Sequence, residues 1–139
     1  MNRRVHIIFD VLTLACYFIF LYITLCTPTP AGVKILLFPY SDKILHACQF
    51  AGFSLIICRF LWNYFPSIGR YWILFISISV AVICGGTSEF IQMSVPGRFA
   101  DIGDAVSDAV GALIAAFVWN FILLKNTDSS KIVETPVID

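Results

Sequence analysis

The chain has 139 residues, of which 59% are hydrophobic, 15% aromatic and only 13% charged. A soluble domain of this composition would have to expose apolar surface, so a lipid bilayer is its natural solvent. Nine basic residues balance nine acidic ones, and no basic patch is interleaved with aromatics, which sets aside a nucleic-acid partner.

In chain order, four apolar stretches come close to the roughly 20 residues a helix needs to cross the hydrocarbon. They are Ile7 to Cys26, Ile44 to Phe65, Trp72 to Gln92 and Ala105 to Leu124. The expected fold is therefore all-α: a polytopic membrane protein with a four-helix transmembrane bundle over residues 7–124. Residues 1–6 form a short N-terminal segment, and 125–139 a polar tail ending in "ETPVID" that reads as flexible. The first stretch follows the basic "MNRR" as a signal peptide would. Its apolar part is too long, and no small-x-small cleavage site precedes Thr27, so it is read as a helix.

Basic loops tend to stay in the cytoplasm. With the N-terminus inside, Arg3, Arg4, Arg59, Arg70, Lys125 and Lys131 face inwards, against Lys34, Lys43 and Arg98 outwards. Both termini are then cytoplasmic, and the loops after the first and third helices face out. Tyrosines and tryptophans such as Tyr22, Tyr40, Trp62, Tyr71 and Trp72 fall near helix ends, where amphipathic rings anchor a bundle at the interface. Asp10 and Arg59 lie towards the inner side and read as a structural pair or as snorkelling charges.

The remaining polar residues fall in stripes. "SDKILHACQFAG" sets Asp42, His46 and Gln49 on one face of the second helix, with Lys43 beside them. "AVICGGTSEFIQ" does the same for Ala81, Gly85, Glu89 and Gln92 in the third. In the fourth, Asp101, Asp104, Asp108, Gly111 and Ala115 repeat the spacing after a loop carrying Pro96, Gly97 and Arg98. All three stripes rise to the outer side, although the topology was set by basic residues alone. A carboxylate in lipid costs on the order of 3 kcal/mol, so Glu89 and Asp108 are expected to face the bundle interior, with Arg98, Lys43 and His46 as partners. Small residues Gly85, Gly86, Gly111, Ala112 and Ala115 would let the third and fourth helices approach closely.

Plainer roles stand beside these. Asp101, Asp104 and Asp42 sit where carboxylates cap helices, Lys43 where a lysine anchors at the interface, and His46 where a structural hydrogen bond would suffice. The five cysteines are scattered and read as small apolar fillers; Cys26 and Cys48 are the one pair placed to meet. Carboxylates with one histidine suit several divalent ions, yet the spacing is not diagnostic, and no metal or other cofactor is assigned. Ser88 and Ser107 lack an evident base.

In its order "DKILH", "SEFIQ", "PGRFADIGDAVSDAVGA", the chain from about Asp42 to Ala116 resembles the VanZ-like family of small bacterial membrane proteins. The residues that carry the resemblance are Asp42, Lys43, His46, Glu89, Gln92, Gly97, Arg98, Asp101, Asp104, Gly111 and Ala112. Asp108 stands where the family has Asn, which puts an acid in place of an amide donor. The family is named for a protein associated with low-level resistance to teicoplanin, which implies a multi-pass protein of the bacterial cytoplasmic (inner) membrane acting in the cell envelope. Lys43, His46, Glu89, Gln92, Arg98, Asp101, Asp104 and Asp108 are the candidate ligand-binding residues. The expected ligand is an amphiphilic envelope molecule, a lipid-linked precursor or a lipoglycopeptide. Glu89, His46 and Asp104 are the candidate catalytic groups if the protein is instead a membrane-embedded hydrolase or transferase. A scaffold or small transport component is the third alternative.

Overall fold

Four helices carry the chain: α1 (Arg3–Cys26), α2 (Ser41–Tyr64), α3 (Arg70–Gln92) and α4 (Ile102–Val133). This is a computed structural model that describes residues 3–26, 39–96 and 98–133, with side chains over 5–26, 39–96 and 98–123. Lys34, Gly97, residues 134–139 and the side chains of Arg3, Arg4, Lys125 and Lys131 lie outside the described residues.

Each helix holds a segment long and apolar enough to cross a membrane: Val5–Cys26, Ser41–Tyr64, Arg70–Gln92 and Ile102–Leu123. Proline sets one boundary. Phe65, with φ −126° and ψ 64°, closes α2, because a residue before proline is pushed out of the helical region by the ring of Pro66. At the start of α4 the Asp101 carboxylate accepts the Gly103 N–H at 2.7 Å, an N-cap bond to one of the amides that the first turn leaves without a helical partner. α4 continues past Leu124 to Val133, where a flexible tail was expected. The run 125–133 is polar but contains neither glycine nor proline, so nothing in it breaks the helix.

α2 and α3 each touch all the other helices, and α1 and α4 lie on either side of this pair. The broadest interface joins α2 to α4, which run parallel: Lys43 sits beside Asp101 and Asp104, and Ser54 beside Ala112. Gly111 makes that interface close. A Cβ there would strike the Ala47 carbonyl oxygen and come within 2.7 Å of its carbon and 2.8 Å of its Cα. The small residues therefore divide differently from expectation. Gly111 serves the α2–α4 seam, Gly85 faces α4 through Asp108, and Gly86, one residue round the helix, has nothing within 4 Å.

Leu21, Leu25, Phe50, Phe53, Ile57, Ala81 and Ala112 form the core, with the Tyr17 ring stacked on Phe53 at 6.1 Å between centroids. Ile8, Phe9, Phe75, Ile83, Ile114 and Phe117 are each more than half exposed. Such a surface is ordinary against acyl chains and untenable in water. At the end of the bundle where α1 begins, the Tyr64 hydroxyl donates to Asp10 at 2.7 Å and Arg59 Nη2 reaches it at 3.4 Å. All five cysteines are free thiols, Cys26 and Cys48 included.

Candidate functional site

The opposite end gathers the end of α1, the start of α2, the end of α3 and the start of α4. Here the three polar stripes meet. Lys43 on α2 reaches α4 twice: Nζ is 2.6 Å from Asp101 Oδ2 and 2.9 Å from Asp104 Oδ1. One turn deeper, His46 Nδ1 lies 2.9 Å from Asp108 Oδ1, and its Nε2 is 3.8 Å from Asp104 Oδ2. The two basic residues thus form rungs between parallel helices, possible because the Gly111–Ala47 contact brings the backbones together.

From α3, Glu89 Oε2 accepts the backbone N–H of Asp101 at 2.8 Å. Glu89 therefore holds the residue that caps α4. Its other oxygen, Oε1, is buried without a hydrogen-bond partner among the described residues, and so are Asp108 Oδ2 and Gln92 Nε2. Buried polar atoms are almost always paired, which makes these three the unusual feature of the site. Asp108 is wholly buried, Gln92 is 3% exposed and Glu89 and His46 are 7% exposed. Gly85 supplies the wall beside Asp108, where any Cβ would lie 2.8 Å from Oδ2.

Asp101, at the mouth, is the acid most open to solvent. The Lys43 ammonium, and after it the Gly103 N–H, hold its carboxyl below the usual carboxylate range. Asp42 is exposed and lies outside the cluster. It shares the stripe's spacing, yet its neighbours Ser41, buried, and Lys43, half-buried, are the residues that α2 turns inwards at this level. Arg98, expected as the counter-ion of the acids, donates from Nη2 to the Thr24 carbonyl at 2.8 Å, and Lys43 meets the aspartates. The loop thereby ties α3 and α4 back to α1. Gln49, on the His46 face, donates to Thr24 Oγ1 at 3.0 Å, and its own carbonyl accepts the Tyr17 hydroxyl at 2.8 Å.

Ser88 Oγ donates to the Gly85 carbonyl and Ser107 Oγ to the Gly103 carbonyl, at 2.7 and 2.8 Å. Hydroxyls committed to their own helix backbone in this way are poor nucleophile candidates. Below the cluster, Ser54, Cys58 and Ser77 are fully buried. Ser54 Oγ lies 3.3 Å from the Ala112 carbonyl, and Cys58 Sγ donates to Ser77 Oγ at 3.1 Å. These small polar groups were not singled out from the sequence, because isolated serines in apolar runs carry no pattern. An apolar groove of about 120 Å³ runs between α1, α2 and α3, lined by Leu21, Leu25, Phe50, Cys84, Ser88 and Ile91 among others.

No curated protein and no solved structure matches the chain. Residues 8–124 match the family model VanZ/LLP1, a span that takes in all four membrane segments and the whole polar cluster, and the chain belongs to that family.

Proposed function

We propose that this VanZ-like membrane protein binds an amphiphilic molecule of the cell envelope, a lipid-linked precursor or a lipoglycopeptide, at the cluster end of the bundle. The observation that carries the reading is an apolar groove between α1, α2 and α3 at the cluster end of the bundle, with Cys26, Ser88 and Ile91 in its lining. A hydrocarbon chain suits the groove, and the polar head would lie against Lys43, Arg98, Gln92 and Asp104. Lys43 and Arg98 meet phosphate, and the acids and Gln92 accept or donate to hydroxyl and amide groups. On this reading the cluster faces outwards from the bacterial cytoplasmic membrane, both termini lie in the cytoplasm, and the cellular role is in envelope-lipid or glycopeptide-antibiotic response.

Native mass spectrometry of the purified protein tests it. The unaltered chain is expected to retain an anionic envelope lipid that Cys84→Phe, which fills the groove, loses, and that Lys43→Met holds more weakly. Equal retention by folded Cys84→Phe refutes the reading. Teicoplanin susceptibility, measured with membrane abundance in the same cultures, tests the cellular role. A catalytic reading has one observation in its favour: the His46–Asp108 hydrogen bond beside Glu89 supplies a base and the group that orients it. Turnover of a lipid-linked substrate that is lost in His46→Ala would establish it.

A further inference from the structure

We propose that His46, Glu89 and Asp108 form a binding site for one divalent first-row transition cation, of the Mn2+ or Zn2+ kind. Each offers a ligand atom, and these atoms lie within 4.8 Å of one another. Donors bound to one ion at about 2.0–2.2 Å stand at most about 4.4 Å apart, so a contraction of a few tenths of an ångström closes the site. Three helices supply the three residues, which lets side-chain rotation make that change without moving a backbone.

Proximity of acids alone would not identify a site. The second observation is that the carboxylate oxygens left over from hydrogen bonding are buried here and lack partners. Glu89 uses Oε2 on the Asp101 amide and leaves Oε1; Asp108 uses Oδ1 on His46 and leaves Oδ2. A buried acceptor without a donor costs about 1–3 kcal/mol, and more when charged. A cation between Oε1 and Oδ2 satisfies both together. Charge points the same way: Lys43 is engaged by Asp101 and Asp104, which leaves the carboxylates of Glu89 and Asp108 to meet a divalent ion. One imidazole with carboxylates suits Mn2+, Fe2+ or Zn2+, whereas Ca2+ wants six to eight oxygens and Mg2+ keeps its waters. Asp104 Oδ2, 3.8 Å from His46 Nε2, is at hand as a further oxygen.

The arrangement also resembles a supported metal site, in which ligands are themselves held by hydrogen bonds. Glu89 is held by the capped start of α4, Asp108 is backed by Gly85, and an ion taken up by His46 would replace its bond to Asp108.

The test uses the full chain in detergent, stripped with a chelator and freed of it, then titrated with Mn2+ by electron paramagnetic resonance and with Zn2+ by equilibrium dialysis. One ion per chain is expected, with Mg2+ and Ca2+ failing to displace it at equal concentration. Glu89→Gln and Asp108→Asn should each weaken it at least tenfold, and Asp42→Asn, an exposed acid on the helix that carries His46, should change it less than twofold. Helical circular dichroism and size-exclusion elution identify which variants are folded. Should both site variants fail to fold, the thermal midpoint of the unaltered chain decides: Mn2+ or Zn2+ raises it and Mg2+ does not. No uptake by the unaltered chain, equal uptake by a folded site variant, or a midpoint indifferent to Mn2+ and Zn2+ overturns the proposal.

Discussion

Gly111→Ala is the sharpest probe of how the fold builds the site. The added Cβ meets main chain, the carbonyl oxygen, carbon and Cα of Ala47, and none of these can rotate away. Carbon atoms pack best at about 3.5–4.0 Å, so α2 and α4 must separate by roughly an ångström at this level. Overpacking of this kind costs about 1–3 kcal/mol. The same displacement stretches the 2.9 Å bond from His46 to Asp108, since these residues flank the contact by one position and by one turn. Gly86→Ala is the control: it sits on a helix with open space around it and gains the propensity of alanine over glycine, up to about 1 kcal/mol. Unfolding in detergent, followed by helical circular dichroism, should place Gly111→Ala at least about 1 kcal/mol below Gly86→Ala. Equal stability of the two would refute the close approach of α2 and α4, and with it the geometry of both rungs.

Lys43→Met leaves Asp101 and Asp104 without their shared cation and should destabilise by about 1–3 kcal/mol, the range for hydrogen bonds to charged groups; adding Asp104→Asn to it should restore part of the loss in the same unfolding assay. Asp101 has a carboxyl pKa lowered by Lys43 and the Gly103 N–H. The stability it contributes is therefore present above the ordinary carboxylate value near 3.9 and lost as pH falls through the lower folded value. Thermal midpoints across the acid range should fall less steeply for Asp101→Asn than for the unaltered chain. Tyr17→Phe removes the bond from α1 to the Gln49 carbonyl, and a loss of about 0.5–1.5 kcal/mol is expected, read as a lower detergent-unfolding midpoint.

The helices were legible because a membrane span is a composition signal, and the polar cluster because its residues recur at spacings of three and four. Height in the membrane follows from those two facts alone. Azimuth does not. The stripe containing Asp42, His46 and Gln49 fixes which residues share a face, but only the packing shows that α4 meets His46, α1 meets Gln49 and Asp42 is left exposed. Arg98 illustrates the same limit: the excess of acids drew attention to a carboxylate partner, and its bond to the Thr24 carbonyl could not be read from the sequence. Gly111 was read as part of an α3–α4 seam, because consecutive helices are the default neighbours, and it serves the parallel pair α2 and α4 instead. The extension of α4 to Val133 was missed because polarity was taken for loop, although a helix leaving the hydrocarbon needs no apolar face.

The two sides of the bundle are tied together differently. Between α2 and α4 the backbones touch at Gly111, two rungs cross the seam, and Glu89 clamps the start of α4 from α3. Motion there would expose buried charge, which in a membrane is expensive. α1 is held more lightly. It packs on α2 and α3 alone among the described helices, and its polar ties near the cluster are Tyr17 and Thr24 to Gln49, with Thr24 also receiving Arg98. Hydrogen bonds between membrane helices average only about 0.6 kcal/mol, so α1 can shift against α3 and widen the groove without disturbing the acids. Gln49 lies one turn from His46, and Arg98 lies in the loop that enters α4. The contacts that hold α1 thus end on α2 and on the loop that enters α4, so the groove can open while the seam between α2 and α4 stays closed.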